Sequence, residues 1–419
     1  MIMKIQKETL PNGLRVITEE IPYVRSASIG VWVGTGSRQE SEENNGISHF
    51  IEHMLFKGTS HRTARELAET IDSVGGQLNA FTAKEYTCYY AKVLDEHLPV
   101  AIELLADMLL NSLFTPEDTG KEKGVVIEEI KMYEDTPDEL VHDLFTQAMW
   151  QQHPLGRTIL GTVEAVNGLT RERVMDYFHS HYTPDNMVVA AAGNLSHQAV
   201  VEHVAGALAA IHGSRTAGAE EPPRVSPRVT IRTKDTEQVH LCLGTRGVPQ
   251  DHDDIYSLYL LNSILGGGSS SRLFQEIRET RGLAYSVYSY QSAYRDAGLF
   301  AVYAGVSPRY TDEVLRLILL EFARIKEEGV EPAELSRAKE QVKGNLVLSL
   351  ESTSNRMSRL GKSELTLGRI ITPEEVIDKI EAVKQADLQR LAGEMFDPSC
   401  LGLAAIGPLD REIRLPDYL

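Results

Sequence analysis

The chain has 419 residues, 42% hydrophobic and 24% charged, a balance that excludes a disordered tail protein, a collagen-like chain and a disulfide-stapled miniprotein. Its 42 Lys plus Arg face 60 Asp plus Glu, for a net charge of −18 and a pI near 5.2, which argues against broad binding to nucleic acid or anionic lipid because phosphate would be repelled. At roughly 150 residues per domain, the length suggests two or three domains.

The chain begins Met1-Ile2-Met3-Lys4-Ile5-Gln6-Lys7-Glu8, with no apolar core of a signal peptide. No stretch approaches the roughly 18 apolar residues of a membrane span. Cys88, Cys242 and Cys400 lie far apart with no CxxC pair, so a disulfide framework is not expected. The expectation is a cytoplasmic protein with no membrane and no nucleic-acid partner.

A Pro11-Asn12-Gly13 turn leads into a strand from Leu14 to Thr18, and a second strand runs from Ala27 to Val33, both rich in β-branched residues. After a polar loop, an apolar helix runs from Gly46 to Phe56 and a second from Ala64 to Val74, ended by Gly75-Gly76. A strand is predicted over Ala80 to Val93. Two long helices follow, Leu98 to Leu113 and Pro116 to Glu134, the latter with Thr115 as N-cap and Pro116 at the first helical position. Gly213 to Pro223 is poor in hydrophobic residues and reads as a linker.

That linker divides the chain almost in half, and the halves repeat. A shift of 210 lays Val31-Trp32-Val33-Gly34-Thr35 on Leu241-Cys242-Leu243-Gly244-Thr245, and the helix His49 to Leu55 on Tyr259 to Leu265. Arg62 falls on Arg272, Glu66 on Glu276 and Glu69-Thr70 on Glu279-Thr280. One register without a gap over about 40 residues points to two copies of one α+β domain. The expected division is 1–212 for the first domain, 213–226 for the linker and 227–419 for the second.

The first copy carries His49-Phe50-Ile51-Glu52-His53, an H-x-x-E-H sequence. Residues four apart share a helix face, so His49 and His53 can reach one metal ion. Glu52 is placed to take a proton from a metal-bound water, which makes the set suited to zinc hydrolysis. Phe50, Ile51, Met54, Leu55 and Phe56 make the helix apolar nearly all round, and two His and a Glu on such a helix cost stability unless paired or metal-bound. The shift puts Tyr259, Asn262 and Ser263 at the equivalent positions, so the fold does not need the His/Glu set for packing. A catalytic zinc wants a third protein ligand. On the Pro116 to Glu134 helix, Glu122 and Glu129 lie two turns apart on the face of Val125, Val126 and Tyr133, while Glu128 lies off it. Glu129 is favoured as ligand and Glu122 as a residue that orients a ligand or acts through its charge, although geometry alone leaves their order open.

These motifs resemble the M16 (pitrilysin, insulinase) zinc metallopeptidases over essentially the whole chain, most closely short bacterial members related to the mitochondrial processing peptidase β subunit. In that family the two His and a distal Glu bind zinc and the motif Glu is the general base. The distal Glu lies about 76 residues beyond the second His, and 129 − 53 = 76. The family's additional catalytic-helix Glu, seven residues earlier, matches Glu122. The resemblance further implies a peptide-binding edge strand at Gly75 to Thr82, with Asn79 and Ala80 the matched positions. It also implies a substrate-binding pair at Arg278 and Tyr285, an Arg to hold a substrate carbonyl and a Tyr to stabilise the oxyanion. Gly266-Gly267-Gly268 lacks the Lys-Ser/Thr of a phosphate loop and reads as a connection. His179 and His181, two apart, diverge on a helix and are assigned no site.

The implied fold is α+β: two similar tandem domains, each a mostly antiparallel sheet packed with helices, of the LuxS/MPP-like metallohydrolase type. The implied function is a zinc endopeptidase with one Zn2+ per chain, acting on peptides or short unfolded segments in a closed chamber made by a dimer. Having both halves of the site in one chain favours a homodimer over a heterodimer. The alternatives are a noncatalytic peptidase-like subunit or scaffold, and a metal-binding or sensing module.

Overall fold

The structure is a computed structural model that describes residues 4–215, 221–409, 413 and 415. Part of the expected linker, residues 216–220, lies outside the described residues. The chain forms two compact units, each built on one sheet.

The first sheet contains β1 (Lys4–Thr9), β2 (Arg15–Glu20), β3 (Ser26–Val33), β4 (Gln77–Thr82), β5 (Thr87–Leu94) and β6 (Met187–Gly193), in the order β1-β2-β6-β3-β5-β4. Only the β2–β6 pair is parallel. The second sheet contains β7 (Val229–Thr233), β8 (Val239–Arg246), β9 (Ala284–Ala293), β10 (Gly298–Val306) and β11 (Gly402–Gly407), in the order β7-β11-β8-β10-β9, with β7–β11 its only parallel pair. Removing β1 leaves the two orders identical, and the parallel pair falls at the same place. The repeat read from the 210-residue register is therefore a repeat of topology, and the mostly antiparallel α+β class is observed.

Two local expectations need correction. The segment read as one strand from Ala80 to Val93 is a hairpin, β4 and β5, turning at Ala83-Lys84-Glu85-Tyr86. The turn has no Gly or Pro to announce it. It is held from outside, by Ser37 and Arg38 N–H groups on the Ala83 and Lys84 carbonyls (3.3 and 2.7 Å) and by a buried Arg38–Glu85 ion pair at 2.7 Å. The other omission is β1, a polar edge strand of sequence Lys-Ile-Gln-Lys-Glu-Thr, whose exposed pattern hid it.

The units are also discontinuous along the chain. The first takes residues through Lys131, the segment from Thr158 to the linker, and Ser349–Ile370; the second takes Met132–Arg157, the segment from the linker to Leu348, and the chain from Ile371 onward. A single cut at 213–226 does not separate them. Within the first unit, the helix Thr353–Leu367 lies on the sheet face of Ile17, Trp32, Val188 and Ala190. Trp32 Nε1 reaches Met357 Sδ at 3.4 Å, and Ser28 Oγ reaches Thr353 Oγ1 at 2.9 Å. Glu364 is paired with Lys7 (2.6 Å) and Arg15 (3.2 Å), and Arg356 with Glu19. A Cβ at Gly361 would stand 2.2 Å from Trp32 Nε1, so the indole can lie on the helix only because residue 361 is glycine.

The opposite face of the first sheet packs the main core against helices that include α1 (Ile47–Leu55), α2 (Ala64–Ser73), α3 (Leu98–Asn111) and α4 (Pro116–Glu134). Buried Asp107 on α3 anchors the strap that follows α1. It accepts bonds from Thr59 Oγ1 (2.9 Å), Arg62 Nη1 (2.7 Å) and Asn111 Nδ2 (2.8 Å), and its Oδ1 lies 2.8 Å from His61 Nδ1. Burial pushes its carboxyl up, but the bonds from His61, Arg62, Asn111 and Thr59 outweigh it and hold it below the ordinary aspartate value. A depressed folded value means the stabilisation is complete above the ordinary value and is lost as pH falls through the folded one. Asp107→Ala is therefore expected to cost about 2 kcal/mol at neutral pH. Urea unfolding at neutral and strongly acidic pH checks this, the gap to the native chain narrowing in acid. No helix among the described residues is long and apolar enough to cross a membrane.

Candidate metal centre and comparison with known proteins

The site grows from the N-terminus of α1. Gly46, the residue before it, has φ +95°, and a Cβ there would meet the Leu160 carbonyl at 2.6 Å. The helix start is clamped by Glu40, whose carboxylate accepts from the Gly46 and Ser48 N–H groups (2.7 and 2.9 Å) and from Asn45 Nδ2 (3.0 Å). A carboxylate at a helix N-terminus satisfies donors that have no partner within the helix. With that end fixed, His49 and His53 come round on one face, and their Nε2 atoms lie 3.2 Å apart.

The partner helix α4 begins with the expected cap, Thr115 Oγ1 accepting the Asp118 N–H at 3.0 Å. It brings Glu129 to the pair, with Oε1 at 3.8 Å from His49 Nε2 and Oε2 at 3.6 Å from His53 Nε2. One donor atom from each of these three residues falls within 4.8 Å of the others. Ligand atoms around a tetrahedral zinc with Zn–N near 2.0–2.1 Å sit about 3.3 Å apart, so the three edges fit a divalent ion with little closure. Charge fits as well. Glu52, Glu122 and Glu129 against Lys57 give −3 + 1 = −2 with both imidazoles neutral, the complement of one divalent cation.

The two imidazoles are held differently. His49 is buried, and burial followed by the nearby His53 drives its pKa down to about 3 against the opposing charge of Glu122. It is neutral at physiological pH, the form that ligates. Its Nδ1 has no partner among the described residues. His53 Nδ1 lies 2.8 Å from Glu122 Oε1, which places the proton on Nδ1 and the lone pair on Nε2. Burial pulls His53 down, but the Glu122 bond and the charges of Glu122, Glu129 and Glu52 raise it on balance.

Glu52 sits between these ligands and the sheet. Burial pushes its carboxyl up, opposed by Thr82 and His53 and reinforced by Glu129. Thr82 Oγ1 donates to Glu52 Oε2 at 2.5 Å, and Thr82 is the last residue of β4, the edge strand of its sheet. Asn79 and Ala80 lie on that strand, and Asn79 Oδ1 accepts the Ala80 N–H at 2.8 Å. Beside it opens a cavity of about 670 Å³ with walls of Phe56, Leu67, Ile71, Leu78, Asn79 and Tyr90. Arg278 and Tyr285 belong to the second unit, where the guanidinium lies 4.9 Å from the centre of the exposed Tyr285 ring.

Reading the sequence missed Lys57, Thr82 and Glu40. Lys57 Nζ binds Glu122 Oε2 at 2.7 Å, and its place four residues after His53 was a usable signal. Thr82 lay in the segment matched to the edge strand without a role. Glu40 gave no signal, because its bonds to the start of the helix go to the backbone amides of Gly46 and Ser48.

Among the described residues, the first copy of this doubled α+β chain gathers two imidazoles and one carboxylate that could hold a metal ion, with the Glu52 carboxylate beside them. Residues 15–163 match the family model Insulinase (Peptidase family M16), and residues 168–342 match Peptidase M16 inactive domain. The "Uncharacterized zinc protease YmxG" of Bacillus subtilis is 49% identical over 406 residues, covering 96% of this chain and 98% of its own. The "Uncharacterized zinc protease SCO5738" of Streptomyces coelicolor is 45% identical, covering 97% and 90%. A crystal structure of a protease from Helicobacter pylori superposes with a TM-score of 0.91 at 24% identity, covering 97% of this chain and 100% of that one. A putative M16-like peptidase from Alicyclobacillus acidocaldarius gives 0.86 at 21% identity, covering 97% and 98%. This chain belongs to peptidase family M16, and it is similar from end to end to proteins named as zinc proteases.

Proposed function

We propose that the chain is a zinc endopeptidase in which His49, His53 and Glu129 hold one Zn2+ and Glu52 is the general base. The observation that carries this is the convergence of those three donor atoms beside the half-buried Glu52 carboxylate. A zinc ion, when bound, supplies Lewis acidity that makes water a nucleophile at neutral pH. Glu52 takes the proton from the attacking water and returns it to the leaving amine. Thr82 fixes one oxygen of Glu52, and the other has no partner among the described residues and is left for the proton. Glu122 acts through His53, holding its tautomer and ring.

The substrate is an extended peptide. It adds to the free edge of β4, taking over the Ala80 N–H that Asn79 now satisfies, so the backbone is held whatever the sequence. The cavity beside β4 receives an apolar side chain. Arg278 holds a substrate carbonyl and the Tyr285 hydroxyl supports the oxyanion. Two copies enclose the peptide as a homodimer, in the cytoplasm, and the net charge of −18 favours basic peptides.

Chelation is the direct test. A digest of a peptide library is expected to stop on adding a chelator and resume on adding zinc, with metal analysis giving one zinc per chain. Protein without zinc would support the scaffold reading; zinc without chelator-sensitive hydrolysis would support the sensing module.

A further inference from the structure

The Glu122 carboxylate is gripped at both ends. One oxygen meets His53 Nδ1 at 2.8 Å and the other meets Lys57 Nζ at 2.7 Å. Glu122 is buried, whereas the Lys57 side chain is 35% exposed and that of His53 23%, so the ammonium is the most exposed member of the chain Lys57–Glu122–His53.

The second copy shows what the fold itself requires at this place. Adding 210 takes His53 to Ser263 and Lys57 to Gly267. There Ser263 Oγ donates to Gln341 Oε1 at 2.9 Å, and Gln341 Nε2 donates to the Gly267 carbonyl at 3.2 Å. One side chain thus bridges the same two positions in both copies. In the copy without metal ligands the bridge is a neutral amide; in the copy with them it is an ion pair closed by a lysine. Packing alone is met by the neutral form, so the charged form has another task.

We infer that Lys57 is a positioning residue for metal binding: it pins the Glu122 carboxylate so that His53 presents its Nε2 to the ion. The inference rests on the zinc-site reading above. The competing account is that Lys57 merely places a cation at the C-terminal end of α1, where the helix dipole favours one. The two differ in what removal of Glu122 does. If Lys57 acts through Glu122, it has nothing to position once Glu122 is gone, and only its repulsion of the metal remains.

The experiment is a double-mutant cycle on the full chain, read as zinc affinity by competition with a chromophoric chelator and with thermal melting of each metal-free variant alongside. Lys57→Met is expected to weaken zinc binding about tenfold, the lower end of the loss seen when a ligand's hydrogen-bond partner is disturbed. Lys57→Arg, which keeps a cation within reach of the carboxylate, restores most of it. In a Glu122→Gln background the same Lys57→Met change does not weaken binding further, and relief of repulsion tightens it. Equal weakening in both backgrounds overturns the inference and leaves the zinc site standing, as does undiminished affinity in Lys57→Met alone. A native chain that binds no zinc overturns the site reading and the inference with it.

Discussion

Replacing Glu52 by Gln is expected to leave one zinc per chain and to lower peptide hydrolysis by about 10³-fold. The amide is nearly isosteric with the carboxylate, and the Thr82 hydroxyl can still donate to its carbonyl oxygen, so the side chain keeps its place between β4 and the imidazoles. The three groups assigned to the metal, His49, His53 and Glu129, are untouched. What is lost is the ability to accept a proton. Because burial holds the Glu52 carboxyl above its ordinary value, the wild-type rate should fall on the acid side as that carboxyl takes up a proton, and the residual rate of the variant should lack this limb. Metal analysis and a pH–rate profile on one peptide read both outcomes. Retained hydrolysis with zinc bound would remove Glu52 from the mechanism. Loss of zinc together with activity would instead place Glu52 among the groups that hold the ion.

How far the site can be read from sequence depends on how local its geometry is. His49, Glu52 and His53 are fixed by helical spacing alone, and Glu122 and Glu129 by a second helix, whose face read as Val125, Val126 and Tyr133 is correct for buried Val126 but not for Val125, which is exposed. Those five could be grouped before any coordinates, although the order of the two distal glutamates needed the family spacing. Lys57 and Thr82 act on these residues from a helix end and a strand end, and each was within reach of the same spacing arguments. Glu40 was not, since a carboxylate that binds backbone amides across a loop leaves no pattern in residue types. The β4–β5 hairpin hid for a similar reason. Ala83-Lys84-Glu85-Tyr86 has no turn-forming residue and is shaped by contacts with residues 37 and 38. Longest-range of all is the exchange of segments between the units. The helix Thr353–Leu367 has an apolar stripe of Met357, Leu360 and Gly361, but an amphipathic stripe says that a helix is covered, not which sheet covers it.

Because of that exchange, the first unit depends for its cover on a helix from the second half of the sequence. A protein ending at residue 212, the boundary suggested by composition, is expected to be insoluble or unable to bind zinc, although it contains every proposed metal ligand. Without Ser349–Ile370, the sheet face of Ile17, Trp32, Val188 and Ala190 loses its cover, and an apolar patch of that kind drives association. Glu19 and the pair Lys7 and Arg15 also lose their partners Arg356 and Glu364. Co-expression with residues 213–419 should restore soluble, zinc-binding protein, because the missing helix lies in that fragment. A point change probes the same contact in the intact chain. In Gly361→Leu the new side chain would start 2.2 Å from the Trp32 indole nitrogen, and the strain is expected to cost about 2–3 kcal/mol. Although residue 361 lies in the second half of the sequence, the loss should fall on the unit that carries His49 and His53, seen as a lower melting temperature for the transition that zinc shifts upward. A soluble, zinc-binding fragment 1–212 with a cooperative melt would show that the first copy closes its own sheet, and that the helix from the second half is an accessory to the fold.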